Sequence, residues 1–129
     1  MEAALARHPR PYRRPAYGLV AVVLLGLVVL EYARETVGWW PPVVFGAGPD
    51  LALLLGMSSG LARGQLHPCA VPLYNLLHWF WGPLALAVVA VAAGLSPAWL
   101  VGALAWALHV AIDRAVGYGL RTPDGFQRG

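Results

Sequence analysis

The stretch that decides the fold is Pro97-Ala-Trp-Leu-Val-Gly102-Ala-Leu-Ala-Trp106-Ala-Leu-His109-Val-Ala-Ile-Asp113-Arg114-Ala-Val-Gly-Tyr-Gly-Leu120. Apart from His109, Asp113 and Arg114 it is almost wholly Ala, Leu, Val, Ile, Gly and aromatic, and it matches the roughly 20 apolar residues that cross a bilayer as a helix. His109 and Asp113 are separated by one helical turn, so both side chains fall on one face. Ionisable groups in such a run are costly and mark a functional site by default. Gly102, Trp106, His109, Asp113, Val116 and Leu120 form one narrow stripe, whereas Arg114 points elsewhere and can snorkel from the helix end.

Working outward, the composition agrees. Of 129 residues, 59% are hydrophobic and 12% charged, against about 25% charged in a soluble domain. The expected fold class is all-α: a small polytopic membrane bundle with four transmembrane segments at about residues 16–37, 43–61, 71–93 and 97–119. A disordered basic arm (residues 1–15) precedes it and a polar tail (residues 121–129) follows. The net charge of +3 reads as topology, not as a nucleic-acid signal. All nine basic residues are Arg, which together with the Ala, Gly, Leu, Val and Pro content fits a high-GC, bacterial coding bias. Cys69 is the only cysteine, so no internal disulfide is available.

The arm carries Arg7, Arg10, Arg13 and Arg14 among prolines, and the run after it lacks a small-residue cleavage site, so it reads as an uncleaved first span. Its end has Glu31, Arg34 and Glu35 near the interface, then Gly38-Trp39-Trp40-Pro41-Pro42, in which tryptophans suit an interfacial belt and the proline pair stops the helix. The second segment is interrupted at Gly46, Gly48 and Pro49-Asp50. Pro at a first helical position with Asp beside it is a good helix start. The segment is therefore expected to be broken at Gly48-Pro49, with residues 43–48 irregular and Asp50 either capping the helix at the interface or lining a cavity. His67 reads as a loop residue. Asn75, His78 and Gly82 share a face of the third helix, which Pro83 can kink. Arg63, Arg121 and Arg128 join the arm on one side of the membrane, while Arg34 is offset by two glutamates. That places both termini in the cytoplasm of a bacterial inner-membrane protein.

The third and fourth helices are joined by the short Gly94-Leu-Ser-Pro97 turn and must be antiparallel neighbours. His78 lies about 10 Å in from the start of its helix at the α-helical rise, a depth matching His109 and Asp113. Asn75, His78, His109 and Asp113 can therefore converge, and Asp50 can join them if its segment is broken. Two His with one or two carboxylates and an open position suit a divalent metal such as zinc, which lowers the pKa of bound water and polarises a phosphoryl or acyl group. Asn75 would orient a ligand from the second layer. The alternative is a hydrogen-bonded core that only fixes helix packing.

Gly38-Trp39-Trp40, Pro49-Asp50-Leu51, Tyr74-Asn75-Leu-Leu-His78, His109-Val-Ala-Ile-Asp113-Arg114, Gly117-Tyr118-Gly119-Leu120 and Gly125-Phe126 together resemble the small bacterial multi-pass family catalogued as domain of unknown function 4260 (DUF4260). The resemblance starts at Gly38, and the first helix matches poorly. The family usually continues past the Gly-Phe pair with a Thr-His-Leu-Gly-like stretch, where this sequence has Gln127-Arg128-Gly129. The resemblance implies a fold and a motif set but no reaction. A looser similarity, confined to Pro49-Asp50, His78 and the His109/Asp113 pair, is to bacterial membrane-bound metal-dependent hydrolases. Three functions therefore stay open. One is a hydrolase of a lipid or lipid-linked substrate with Asp50, His78, His109 and Asp113 as metal ligands. The others are a small-molecule or proton pathway along the same stripe, and an assembly subunit. The partners expected are the bilayer and a lipid-like substrate, not nucleic acid.

Overall fold

The computed structural model describes residues 13–128, which are helical apart from turns and one isolated β-bridge. Residues 1–12 of the expected arm lie outside the described residues; Arg13, Arg14 and Pro15 are already helical. Helix α1 spans Arg13–Arg34, with Pro15 in the first turn, where its missing N–H costs nothing. Its large apolar residues, Leu19, Val22, Val23, Leu25 and Val29 among them, remain exposed on several faces, as a span bathed in hydrocarbon would leave them.

Helix α2, Trp40–Ala47, begins with Pro41 and Pro42 inside its first turn. The proline pair therefore opens this helix, and α1 ends before it, at Arg34. Residues 43–48 are not irregular. The backbone stays helical and tightens into a 3-10 turn at Gly48–Asp50, then resumes as α3, Leu51–Leu55. Pro49 is the cause: it has no N–H to return to the preceding turn, so the helix tightens locally without unravelling. The run Trp40–Leu55 is roughly 24 Å long at the α-helical rise, short of the ~30 Å hydrocarbon thickness.

The expected third helix is two helices, α4 (Val71–Leu77) and α5 (Trp81–Ala92), bent by 44° at the break. Pro83 cannot donate to the carbonyl four residues back and its ring collides with it. The break falls at residues 78–80, just ahead of that clash. The carbonyls of Leu77 and His78 at the break are taken by side chains of the last helix. Trp106 Nε1 donates to Leu77 O at 2.7 Å and Arg114 Nη2 to His78 O at 2.6 Å. Arg114 is thus a clamp on the break, not a snorkelling surface residue.

Helix α6, Pro97–Val116, is the central element, on which α1, α2 and α5 all pack. Its buried residues are mostly small (Ala98, Gly102, Ala103, Ala105, Ala111) with Val101 and Val110, which lets neighbouring helices approach closely. Gly117, at φ +102°, ends the helix, and Tyr118 N–H returns to Asp113 O at 2.8 Å in a Schellman cap.

Contacts along α6 fix the directions of the others. Arg14 lies against Gly117 at one end, while Glu35–Val37 line a cavity with Ser96–Ala98 at the other. Trp40 packs on Trp99, and Asp50 reaches His109, so α2 runs parallel to α6. Consequently α1, α2, α5 and α6 alternate in direction. Two helices, α1 and α6, are long and apolar enough to cross a membrane, and the bent α4–α5 pair makes a third candidate. The count of clear candidates is two or three, below the expected four, because Pro49 and Pro83 each shorten a segment.

The tail is not a free polar extension. Thr122–Gly125 form a turn, Gly125 O accepts from Leu66 N–H at 2.9 Å, and Gln65 Nε2 donates to Asp124 O at 2.8 Å. Residues 120–128 are thereby folded back on the loop between α3 and α4.

Candidate functional site

Asp50, His78, His109 and Asp113 meet at the end of the bundle where α6 finishes. Each arrives for a local reason. Asp50 sits on the 3-10 turn that Pro49 imposes, which swings its carboxylate toward α6. His78 occupies the end of α4 at φ −104°, ψ 18°, where the break lets the ring stand inward. His109 and Asp113 share the α6 face predicted from their spacing. The ring of His78 is fully buried, His109 and Asp113 are 11% and 20% exposed, and Asp50 is 53% exposed.

The distances are nearly uniform. His78 Nε2 and His109 Nε2 are 3.3 Å apart; each is 3.4 Å from Asp50 Oδ1 and 3.5 Å from Asp113 Oδ2. These are five of the six edges of a tetrahedron. The sixth, between the carboxylates, lies within 4.8 Å. With that edge at its 4.8 Å limit, the point equidistant from the four atoms lies about 2.4 Å from each, a few tenths of an ångström beyond Zn–N and Zn–O bonds and within reach of a small inward shift of the exposed Asp50 carboxylate.

The proton inventory points the same way. His78 Nδ1 lies 2.8 Å from Tyr74 O, and His109 Nδ1 lies 2.8 Å from Gly46 O. A carbonyl can only accept, so each Nδ1 carries the proton. In the neutral ring each Nε2 then turns a lone pair toward the shared centre. Backbone anchoring of the far nitrogen is also what fixes ligating histidines in metal sites. Two imidazole lone pairs and two carboxylates facing one point are mutually repulsive. In ionised form the carboxylates alone, within 4.8 Å, repel by on the order of 3 kcal/mol at an effective dielectric of about 20. A cation at the centre converts all these contacts into attractions.

Asn75, expected beside the cluster, faces the tail. Its Oδ1 accepts from Arg121 N–H at 2.7 Å and its Nδ2 donates to Arg121 O at 3.0 Å. The reason is the return of the chain after Gly117, which presents a backbone unit with both hydrogen-bonding groups unspent. His67 is a loop residue, as expected; its Nδ1 accepts from Cys69 N–H at 3.2 Å.

Three contributors escaped the sequence reading. Tyr74 supplies the carbonyl for His78 and stacks on its ring, centroids 4.0 Å apart. Gly46 supplies the carbonyl for His109. Arg121 is 9% exposed and lies over the Tyr74 ring at 4.9 Å. The four-residue spacing of Tyr74 and His78 was a usable signal for the first. Nothing local marks Arg121, whose burial depends on where the tail lands.

Fold and site together define an all-helical protein with apolar helices of membrane-spanning length and a partly buried His/Asp cluster at one end. The chain belongs to the family described as Domain of unknown function (DUF4260), whose model matches residues 17–129. The match takes in most of α1 as well, which the motif resemblance from Gly38 onward did not reach. No curated protein and no solved structure matches the chain.

Proposed function

We propose that this protein is a metal-dependent hydrolase of the cytoplasmic membrane, acting on a lipid or lipid-linked ester at the headgroup level. The observation that carries the reading is the tetrahedron of donor atoms, with both imidazole protons held on the far side by backbone carbonyls. His78, His109 and Asp113 would hold a divalent ion such as zinc, with Asp50 as the fourth and most exposed ligand. Such an ion supplies Lewis-acid polarisation and an activated water. Asp50, half open to solvent, is the group placed to yield to that water and accept its proton.

Four alternating passes with both ends cytoplasmic complete the proposal. Its support is that Arg13, Arg14, Arg63, Arg114, Arg121 and Arg128 lie on elements gathered at the site end, as the positive-inside rule requires. Asp113 is four residues from Gly117, a rise of about 6 Å, so the cluster is shallow enough to meet a headgroup.

The test is metal analysis of the detergent-purified protein, coupled to hydrolysis of phosphoryl and acyl ester lipids. One zinc per chain, lost in His109→Ala, with turnover abolished by chelation and restored by zinc, is the expected result. Absence of bound metal, with the same content in His109→Ala, would sink the proposal. Metal-independent proton or solute flux in proteoliposomes that is lost in Asp113→Asn would favour a pathway instead.

A further inference from the structure

A second site lies beside the cluster, in a cavity of about 610 Å³ between α3, the loop that follows it and the tail. Leu53, Met57, Leu61 and Leu66 form apolar wall, and Arg121 and Gln65 supply the polar part. Arg121 is the anomaly. It is nine-tenths buried, yet among the described residues no carboxylate pairs with it. Its guanidinium makes hydrogen bonds there only through Nη1, to Gly64 O at 3.0 Å and Gly125 O at 2.7 Å. Nε is buried without a partner among the described residues. A buried cation without a counter-charge is strongly unfavourable, and the Tyr74 ring face offsets only part of that.

We propose that this cavity binds an anionic phospholipid, with the phosphate on Arg121 and the start of an acyl chain along Leu53, Met57 and Leu61. Arginine is suited to phosphate because its charge persists at any physiological pH, and here the Nη2 hydrogens are unspent among the described residues. A lipid is the fitting source of the phosphate because the cavity wall continues into α3, whose Leu51, Leu54 and Leu55 are 58%, 63% and 67% exposed. A free ion would leave that apolar wall unused. The site is independent of any ion at the His/Asp cluster and is separated from it by the Tyr74 ring, which Arg121 covers and which stacks on His78.

The full chain in neutral detergent is titrated with dioleoyl phosphatidic acid, dioleoyl phosphatidylcholine and inorganic phosphate, with thermal stability as the readout. Phosphatidic acid is expected to raise Tm saturably, and the other two to do so at least tenfold more weakly. Ala62→Trp narrows the cavity from its rim and leaves the Arg121 hydrogen bonds in place; it should weaken the response at least tenfold, as should Arg121→Gln. Should Arg121→Gln fail to fold, Ala62→Trp decides alone. The response should persist in His109→Ala, which separates this site from the metal reading. Equal responses to all three ligands, or an undiminished response in Ala62→Trp, would overturn the proposal.

Discussion

The two ends of the α2–α6 contact are held together by opposite means. At the Trp40 end, Trp40, Phe45, Trp99 and Trp106 interleave with ring centroids 5.8–6.5 Å apart, and Gly102 lets Phe45 lie directly on α6. At the Asp50 end the same two helices meet through His109 and the carboxylates of Asp50 and Asp113, with no apolar side chain among the four donors. The first end is shape complementarity and stabilises the pair unaided. The second is a set of acceptors that repel one another until something positive sits between them. The difference teaches that α2 is docked by its aromatic half so that its other half can be left poised.

The sharpest way to break this contrast is to remove a ligand. His109→Ala should lower zinc affinity at least 100-fold, beyond the effect typical of losing only an outer-layer partner. Because that variant also loses the hydrogen bond to Gly46 O, the repulsion is read in Asp50→Asn, which should leave the Tm of the metal-free protein unchanged or higher; parallel zinc titration and thermal melts check both halves. A drop in metal-free Tm would place the cluster with the stabilising end. The converse substitution is Gly102→Val, whose Cβ would stand 2.5 Å from Phe45 Cδ2. Overpacking of this kind costs about 1–3 kcal/mol, so the melt should shift down while zinc stoichiometry in the folded fraction stays at one.

Asn75→Ala removes both hydrogen bonds to the Arg121 backbone and should cost about 1–2 kcal/mol, freeing the tail to faster hydrogen exchange without changing zinc affinity. Loss of zinc affinity there would return Asn75 to the ligand-orienting role expected from sequence. The smallest effect belongs to Trp106→Phe. It keeps the stacking but leaves Leu77 O at the α4–α5 break without its donor, for about 1 kcal/mol in chemical denaturation.

What could be read from the sequence follows from the range of the interactions. The His109/Asp113 face and the kink at Pro83 were legible because a helical period and a missing N–H act within one or two turns; at Pro49 the expected break is only a tightening into a 3-10 turn. That His78 joins them followed from a short turn and matched depth. Asp50 was legible only as a conditional corner, since a capping aspartate and a ligating one have the same local signature. Asn75 and Arg121 were misplaced for one shared reason. Their partners depend on the tail folding back after Gly117, and a polar, turn-rich segment carries no periodicity to say where it lands. Helix length marks two or three clear crossings where hydropathy marks four, because hydropathy reads through Pro49 and Pro83 and helix length does not.

X-ray absorption at the zinc edge on the purified, detergent-solubilised protein tests the central claim most directly. The expected spectrum shows one four-coordinate ion with nitrogen and oxygen ligands at about 2.0–2.1 Å, two of them imidazoles. Loss of one imidazole signature in His109→Ala should accompany it. A six-coordinate ion dominated by water, or no edge above background, would contradict the claim that these four residues are built around a cation.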